Sequence, residues 1–360
     1  MSNKHVALSG HVRRLCSLGC DPHLVIPHVT EALRKIAGAE WAMFFYADEH
    51  FGLADVYSEN QAVLDVMPVY FAQIHNTSNQ EVLGVDFQTA MRRGRGYENS
   101  LQFDDALPGS TMYGELWQPT GIRHSLELTA SDGRRGWGSL QLARPPGGSP
   151  FTARNHADIR PLSRHIAHAL RSPEQISVHD AELASSAIVV ADETGKVLLR
   201  SAEGSRLLWL AGGAPGLARV EARLPDWLSP LRGTFNRLWQ GVAVPPAVLE
   251  RRCAAGRFVF KAYRFDPDET CVHGLAIAIH IEHFPPLALA VENRGFELGL
   301  SERQRQICLH MIAGRSYGEI ARLLDVREST VIDHVRKLYR KLDVHNRGEL
   351  RGVFCAQASA

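Results

Sequence analysis

The sequence predicts two mixed α+β units followed by a small all-helical unit. Three observations carry this. Between residues 41 and 143, short apolar and aromatic runs are separated by turn residues, with a helical pattern before them and another after them. From about residue 180 to 284, apolar residues alternate with a period of two in several runs, as in antiparallel strands covered on one side. From residue 300 onward that period gives way to spacings of three and four, punctuated by helix caps.

A chain of 360 residues suggests two or three domains, each able to bury a core. The net charge of +1 is unevenly spread: residues 298–360 hold 11 Lys/Arg against 7 Asp/Glu, leaving 29 against 32 for residues 1–297. The basic end is the one suited to a polyanion. No run approaches the ~18 apolar residues that a transmembrane helix needs. The start, MSNKHVALSGHVRRLCSLGC, lacks the apolar core of a signal peptide, so the expectation is a cytoplasmic protein with no membrane partner. Six cysteines without a C-x-x-C pair indicate neither a zinc site nor a disulfide framework.

Residues 5–38 read as helices, with Val25, Ile26, Val29, Leu33 and Ile36 at helical spacing. Residues 41–46 and 53–57 read as a hairpin closed by the turn 48–52. Residues 62–76 and 81–92 look mixed or helical. Residues 125–130 and 136–143 flank Asp132-Gly133, a short-range hairpin signal. The loop 145–150 leads into a helix over 153–171 with Ile159, Leu162, Ile166 and Leu170 on one side. This order, with the closing PFTARNHADIRPLSRHIAHAL, resembles a GAF domain within a unit spanning residues 1–172. The resemblance implies a small-molecule pocket between the sheet and the helices beside it. Phe45, Tyr113, Trp117 and Trp137 are the candidate ligand-binding residues, because aromatic walls suit small ligands.

A second unit spans residues 173–284. Residues 187–191 and 197–199 pair across the turn 193–196, and a Gly- and Pro-rich middle follows. Phe258, Phe260 and Ala262 share one strand face; Leu275, Ile277, Ile279 and Ile281 face opposite to Ala276, Ala278 and His280. The opening AIVVADETGKVLLRSAEGSRLL resembles the start of a PAS domain. The helical middle of that pattern is weak here, so dimerisation or signal relay is the expected role. Pro285-Pro286 break the chain, and residues 285–297 read as a linker to the last domain, 298–360.

In that domain Ser301 with Gln304, Ser316 with Glu319, and Asn346 with Glu349 are three capping boxes, marking three helix starts. Gly314 stands where the first helix must end. A short helix carries Ile320, Ala321, Leu323 and Leu324, and Asp325 and Val326 form the turn into the third helix. Short helix, tight turn, longer helix is a helix-turn-helix. In the third helix Val331, Val335, Leu338 and Leu342 form an apolar stripe, while Asp333, Arg336, Lys337, Arg340 and Lys341 lie on other faces. Such a helix suits a major groove with phosphates at its edges. The rival reading is a solvated basic face on a small bundle.

The stretch resembles the DNA-binding domain of LuxR-type (FixJ or GerE-type) bacterial transcription regulators. The matches are Leu300, Ser301, Arg303, Gly314, Ile320, Ala321, Leu324, Thr330, Val331, His334, Lys341, Leu342, Val344, Asn346, Arg347 and Leu350. Three positions depart from the family pattern: Gln304 where glutamate is usual, Arg327 where a serine is usual, and Ile332 where lysine is usual. The resemblance implies base contacts from Ile332, Asp333 and Arg336. Arg336 suits guanine, Asp333 cytosine, and Ile332 a thymine methyl. Arg327, Lys337, Arg340 and Lys341 suit phosphates, and Ser329 and Thr330 complete the DNA-binding set. It also implies a dimer contact on the fourth helix through Leu350, Val353 and Phe354.

The predicted architecture is therefore α+β sensor domains, GAF-like then PAS-like, followed by an all-α four-helix helix-turn-helix domain. The expected function is a ligand-responsive one-component transcription regulator, by family habit an activator. It would bind a near-palindromic promoter site as a homodimer, with RNA polymerase and an unknown small-molecule effector as further partners. The alternative is control by a partner protein, with no small molecule bound. His165 and His168 stand a helical turn apart, with His156 nine residues before His165, and His280, Glu282 and His283 cluster at a strand end; two imidazoles a turn apart can hold a metal, but no third ligand stands at a telling spacing, so no metal is expected. No phosphate-binding loop, paired-acid receiver motif or activated nucleophile is visible, and neither a cofactor nor enzymatic activity is expected.

Overall fold

The computed structural model describes residues 3–70, 85–95, 109–111, 113–171, 180, 181, 183–212, 223–240, 242, 243, 245–265 and 276–355. Residues 71–76 and 81–84 of the segments read as mixed or helical lie outside these, as do Cys271, Leu275 and the last residues of the chain. The chain divides into two compact units, Met1–Pro173 and one made of Glu174–Ala214 with Ala218–Ala360. No described helix is long and apolar enough to cross a membrane.

The first unit opens with α1 (Asn3–Leu15) and α2 (Pro22–Ala37). Asp21 caps α2 by accepting the His23 N–H at 2.8 Å, Pro22 sits where its missing N–H has no cost, and Gly38 ends the helix at φ +64°. β1 (Trp41–Ala47) and β2 (Leu53–Ser58) are joined by a turn in which the Asp48 carboxylate accepts from His50 and Gly52 at 2.8 and 2.7 Å. After α3 (Gln61–Val69) and α4 (Phe87–Arg93), β3 (His124–Ser131) and β4 (Gly136–Arg144) fold back around Asp132. That carboxylate accepts the amides of Arg134 and Arg135 at 2.9 and 3.1 Å. The hairpin turn is thus longer than the Asp-Gly pair alone suggests.

The sheet is antiparallel with strand order β2-β1-β4-β3. Its alternate residues Phe44, Leu126, Leu140 and Leu142 are fully buried on the side of α2 and the closing helix. The single helix expected over 153–171 is in fact α5 (Ala153–Ile159), a 3₁₀ turn (Arg160–Leu162) and α6 (Ser163–Arg171). Pro161 has no N–H to continue the α-helical ladder, which accounts for the break.

The second unit holds β5 (Ser185–Asp192), β6 (Val197–Arg200), α7 (Ala202–Gly212), α8 (Ser229–Trp239), β7 (Val248–Cys253), β8 (Gly256–Phe265) and β9 (Ala276–Phe284). Their antiparallel sheet has the order β6-β5-β9-β8-β7. Phe258, Phe260, Ile277, Ile279 and Ile281 are buried on the face that α7 and α8 cover, as the alternation predicts for these residues. Two helices occupy a middle that the sequence made look weak. β7 escaped notice because VLERRC places charges on a narrow edge strand.

The chain ends in α9 (Leu287–Glu297), α10 (Glu302–Ile312), α11 (Tyr317–Leu323), α12 (Glu328–Leu342) and α13 (Arg347–Cys355). The stretch 285–297, expected as a linker, is mostly α9, whose Leu287 and Val291 join the core built by Leu300, Ile307, Val331, Leu338 and Leu350. Glu292 of α9 and Arg305 of α10 form a buried pair at 3.0 Å, and Arg305 also donates to the Leu300 carbonyl at 2.5 Å. Truncating Arg305 removes this buried pair and the bond to Leu300 together. Arg305→Ala is expected to lower the stability of the second unit by about 3 to 5 kcal/mol, read by urea unfolding; a loss below about 1 kcal/mol would mean that the pair behaves as a surface one.

Candidate functional site

The C-terminal helices are delimited by side chains rather than by propensity alone. Ser301 accepts the Gln304 amide at 3.3 Å and Gln304 Oε1 accepts the Ser301 amide at 2.9 Å, so glutamine closes this box. Ser316 and Glu319 do the same at 3.3 and 2.7 Å, and the bonds from Ser316 hold the Glu319 carboxyl below its ordinary range. In the third pair Asn346 accepts the Glu349 amide at 2.9 Å, but the Glu349 carboxylate accepts from the His345 amide at 2.7 Å, one residue farther back than a simple box.

Gly314, at φ +85°, lets α10 end with paired bonds from Gly314 to the Met311 carbonyl and from Arg315 to that of His310. Asp325 takes the equivalent left-handed place after α11, at φ +50°, and makes the turn into α12. Arg303 donates to the Leu324 carbonyl at 3.4 Å and ties α10 to that turn.

Val331, Val335 and Leu338 are buried, with Leu342 packed against the same core. With about 3.6 residues per turn, this places Ser329, Asp333, Arg336, Lys337 and Arg340 on the side away from the core. All five are exposed. Ile332 lies at one edge of this stripe, half-buried, and Thr330 lies at the other, also half-buried. Arg327 is exposed at the N-cap and makes no side-chain capping bond, so its guanidinium is available to an anion. Arg336 and Asp333 approach to 3.7 Å but remain largely exposed. Lys341 is different: its ammonium donates to the Gly299 carbonyl, fastening the end of α12 to the turn between α9 and α10.

The fourth-helix residues need a correction. Leu350 and Phe354 point into the domain's own core and only Val353 is partly exposed, so the first two are spent on covering α12 and its neighbours.

Residues 298–353 match the family described as bacterial regulatory proteins, luxR family. These residues form a LuxR-family helix-turn-helix domain. Such a domain implies DNA binding in transcription regulation. The chain is also similar to YhjB of Escherichia coli (strain K12), named as an HTH-type transcriptional regulator, with 48% identity over 48 residues. That match spans 13% of this chain and only 24% of the relative's length. Among solved structures, the phage VqmA-DPO complex matches at 18% identity and TM-score 0.21, covering 47% of this chain and 81% of its own. The E. coli DhaR(N)-DhaL complex matches at 12% identity and TM-score 0.20, covering 79% and 90%. The sensor region of a sensor histidine kinase matches at 12% and 0.20, covering 70% and 86%. At such TM-scores these likenesses carry no argument about fold or ligand. The LuxR-family domain therefore rests on its own fifty-odd residues, α10 to α13.

A second candidate site lies in the first unit, on the sheet face opposite α2. Here Met43 and Phe45 of β1, Glu127 of β3 and Ser139 and Gln141 of β4 form the floor of a cavity of about 70 Å³. Val63, Val66, Met67, Phe87, Leu116, Trp117 and Ile122 form its walls. Of the four aromatic residues expected there, Phe45 and Trp117 line it. Tyr113 begins the π-helical turn Tyr113–Trp117 and packs against the surrounding apolar cluster. Trp137 is elsewhere: its ring stacks under the Arg135 guanidinium at 4.3 Å and its Nε1–H donates to Asp132 at 3.2 Å, on the hairpin turn. A pairing of a ring with a charged turn holds it away from the cavity.

The polar floor was not anticipated. Glu127 and Gln141 face each other in the β3–β4 register, and burial pushes the Glu127 carboxyl up to about 8. The available signal was SLELTAS, a strand whose two faces are both buried, so that its acid must lie in the interior. Among the described residues no group of three or more His, Cys, Asp or Glu stands close enough to hold a metal.

A carboxyl whose folded pKa lies above its unfolded one binds more protons when folded, so its contribution is fully present below about pH 4.5 and is lost as pH rises through about 8. Glu127→Gln, which cannot titrate, is therefore expected to gain in melting temperature relative to the parent chain as pH is raised from 5 to 8. A difference independent of pH would place the Glu127 carboxyl in water.

Proposed function

We propose that the chain is a one-component transcription regulator in which the LuxR-family domain reads promoter DNA through α12 and a GAF-like first unit takes a small-molecule effector. The observation that carries the DNA reading is the outward stripe of α12: Ser329, Asp333, Arg336, Lys337 and Arg340 are exposed together while Val331, Val335 and Leu338 hold the helix to its core. The cavity on the sheet face opposite α2 in the first unit supports effector binding. In the second unit, two helices between the first strand pair and the last three strands support the PAS-like reading, with a role in relay or dimerisation.

Binding as a homodimer would place two related half-sites about one helical turn apart on a near-palindrome. With Leu350 and Phe354 buried, a dimer contact in this domain falls to Val353 and exposed neighbours such as Arg351. Activation through RNA polymerase is the mode that the family resemblance suggests, in a cytoplasmic protein without enzymatic activity.

One observation favours a second reading, control by a partner protein. On the uncovered face of the second sheet, Leu199, Val190, Ala278 and Tyr263 lie directly opposite one another across four strands, and Leu199 and Tyr263 are exposed.

Base and phosphate contacts respond differently to mutation. Arg336→Ala is expected to cost about 1 to 3 kcal/mol on the specific site and to relax preference at one base, while Lys337→Ala weakens specific and random duplexes alike and lowers the salt slope by about one. Fluorescence anisotropy on both duplexes over a salt series measures this; identical behaviour of the two variants would rule out the division of roles.

A further inference from the structure

The second unit takes in the chain and gives it out at the same place. Asp180, Ala181 and Ala184, which lead into β5, lie against the residues that lead out of β9. The Ala184 amide donates to the His283 carbonyl at 2.9 Å and the Ala181 amide to that of Pro285 at 2.8 Å, while Asp180 and Pro286 form an antiparallel bridge. Pro285 and Pro286 have no N–H of their own, so backbone bonds can hold them only through their carbonyls.

The β7–β8 hairpin grips the same junction. The Asp180 side chain is 8% exposed; its Oδ2 accepts from Arg252 at 2.7 Å and lies 3.4 Å from Arg257 Nε. The Arg257 guanidinium covers the Phe284 ring at 3.9 Å. The His283 imidazole stacks on Phe258 at 4.4 Å, with Nε2 2.7 Å from the Ala255 carbonyl. Gly256, at φ +108°, passes so close that a Cβ there would stand 2.2 Å from the Phe284 carbonyl oxygen.

α9 starts immediately after this junction, its first turn closed by Leu289 and Ala290 donating to the Pro286 carbonyl at 3.0 and 3.3 Å. It is about 16 Å long. Because it shares a core and the buried Glu292–Arg305 pair with the helices that follow, the DNA reader turns with it.

We infer that Asp180 is a positioning residue of the DNA reader: through Arg252, Arg257 and the bridge to Pro286 it fixes the direction in which α9 leaves the sheet. Entry and exit segments are bonded to each other, so a shift of the chain arriving at Asp180 reaches α9 without rearranging the sheet core. Resting on the reading of the first unit as a sensor, this junction is where its state is passed on.

Hydrogen exchange of the full chain, read by mass spectrometry, tests the junction. Asp180→Asn keeps the shape and removes the charge that the two guanidiniums meet. The first turn of α9 is expected to exchange about tenfold faster, while Ile277 and Ile279 of β9 stay within about twofold of the parent. Asp180→Glu, which retains the charge, is expected to exchange more slowly at that turn than Asp180→Asn. Gly256→Ala, pressing on the exit segment from its other side, is expected to reproduce the local acceleration. Faster exchange throughout β5, β9 and α9 would make Asp180 merely structural, and no acceleration at α9 in either Asp180→Asn or Gly256→Ala would leave α9 placed by its own core; either result overturns the inference, as does an Asp180→Glu chain that behaves like Asp180→Asn.

DNA affinity supplies the functional readout. Asp180→Asn is expected to bind a duplex carrying one half-site as the parent does, and a duplex carrying two about tenfold more weakly, because readers without a fixed spacing lose effective concentration. Local acceleration with both affinities unchanged would overturn the positioning role. A parent chain that binds one and two half-sites alike would remove the dimer reading and leave the exchange result to decide on the junction. None of these outcomes requires an effector, so the sensor reading stands or falls separately.

Discussion

The burial of Val331, Val335 and Leu338 fixes the roll of α12 about its axis, and every side chain that the domain offers to DNA depends on that roll. A helix held by one apolar stripe has no freedom to choose its opposite face, so Ser329, Asp333, Arg336, Lys337 and Arg340 are presented by default. The grip comes from all sides of the domain: Ile307 and Met311 of α10, Ile320 of α11, Leu350 and Phe354 of α13 and Leu287 and Val291 of α9 share one core. The departures from the family pattern fall around this arrangement rather than within it. Gln304 still closes its capping box, Arg327 stands exposed at the N-cap, and Ile332 sits half-buried at the edge of the outward stripe.

The same reasoning accounts for α9. Its Glu292 is buried against Arg305, a pair that has value only if neither ion is left alone, and its two leucine- and valine-bearing turns extend the core of the helices that follow. The helix preceding the DNA reader is therefore part of the reader's structure. In the first unit the controlling constraint is a sheet buried on both faces. One face is apolar, while the other carries Glu127, Ser139 and Gln141 in a cavity, where buried polar groups are costly unless something meets them.

What could be read from the residues depended on how local the signal was. Capping boxes, the Gly314 turn and the stripe on α12 are interactions within four residues, and the structure places all of them close to where the spacing puts them. The strand alternation around Ile277 to Ile281 was legible for the same reason. The break at Pro161 was available from the residue itself, yet the apolar spacing of Ile159, Leu162 and Ile166 continued across it and hid it. The helix α9 was hidden by two prolines before it and by an ion pair whose partner stands 13 residues away. The roles of Trp117 and Trp137 differ only through what the fold brings beside them, a cavity for one and Arg135 for the other, which no local pattern records.

The central claim is that this surface of α12 reads duplex DNA. Selection of bound sequences from a pool of random duplexes by the purified full chain tests it most directly. Enrichment of a sequence with two related half-sites about one helical turn apart is expected. Failure to enrich any duplex sequence, under conditions where the chain is folded, would contradict it.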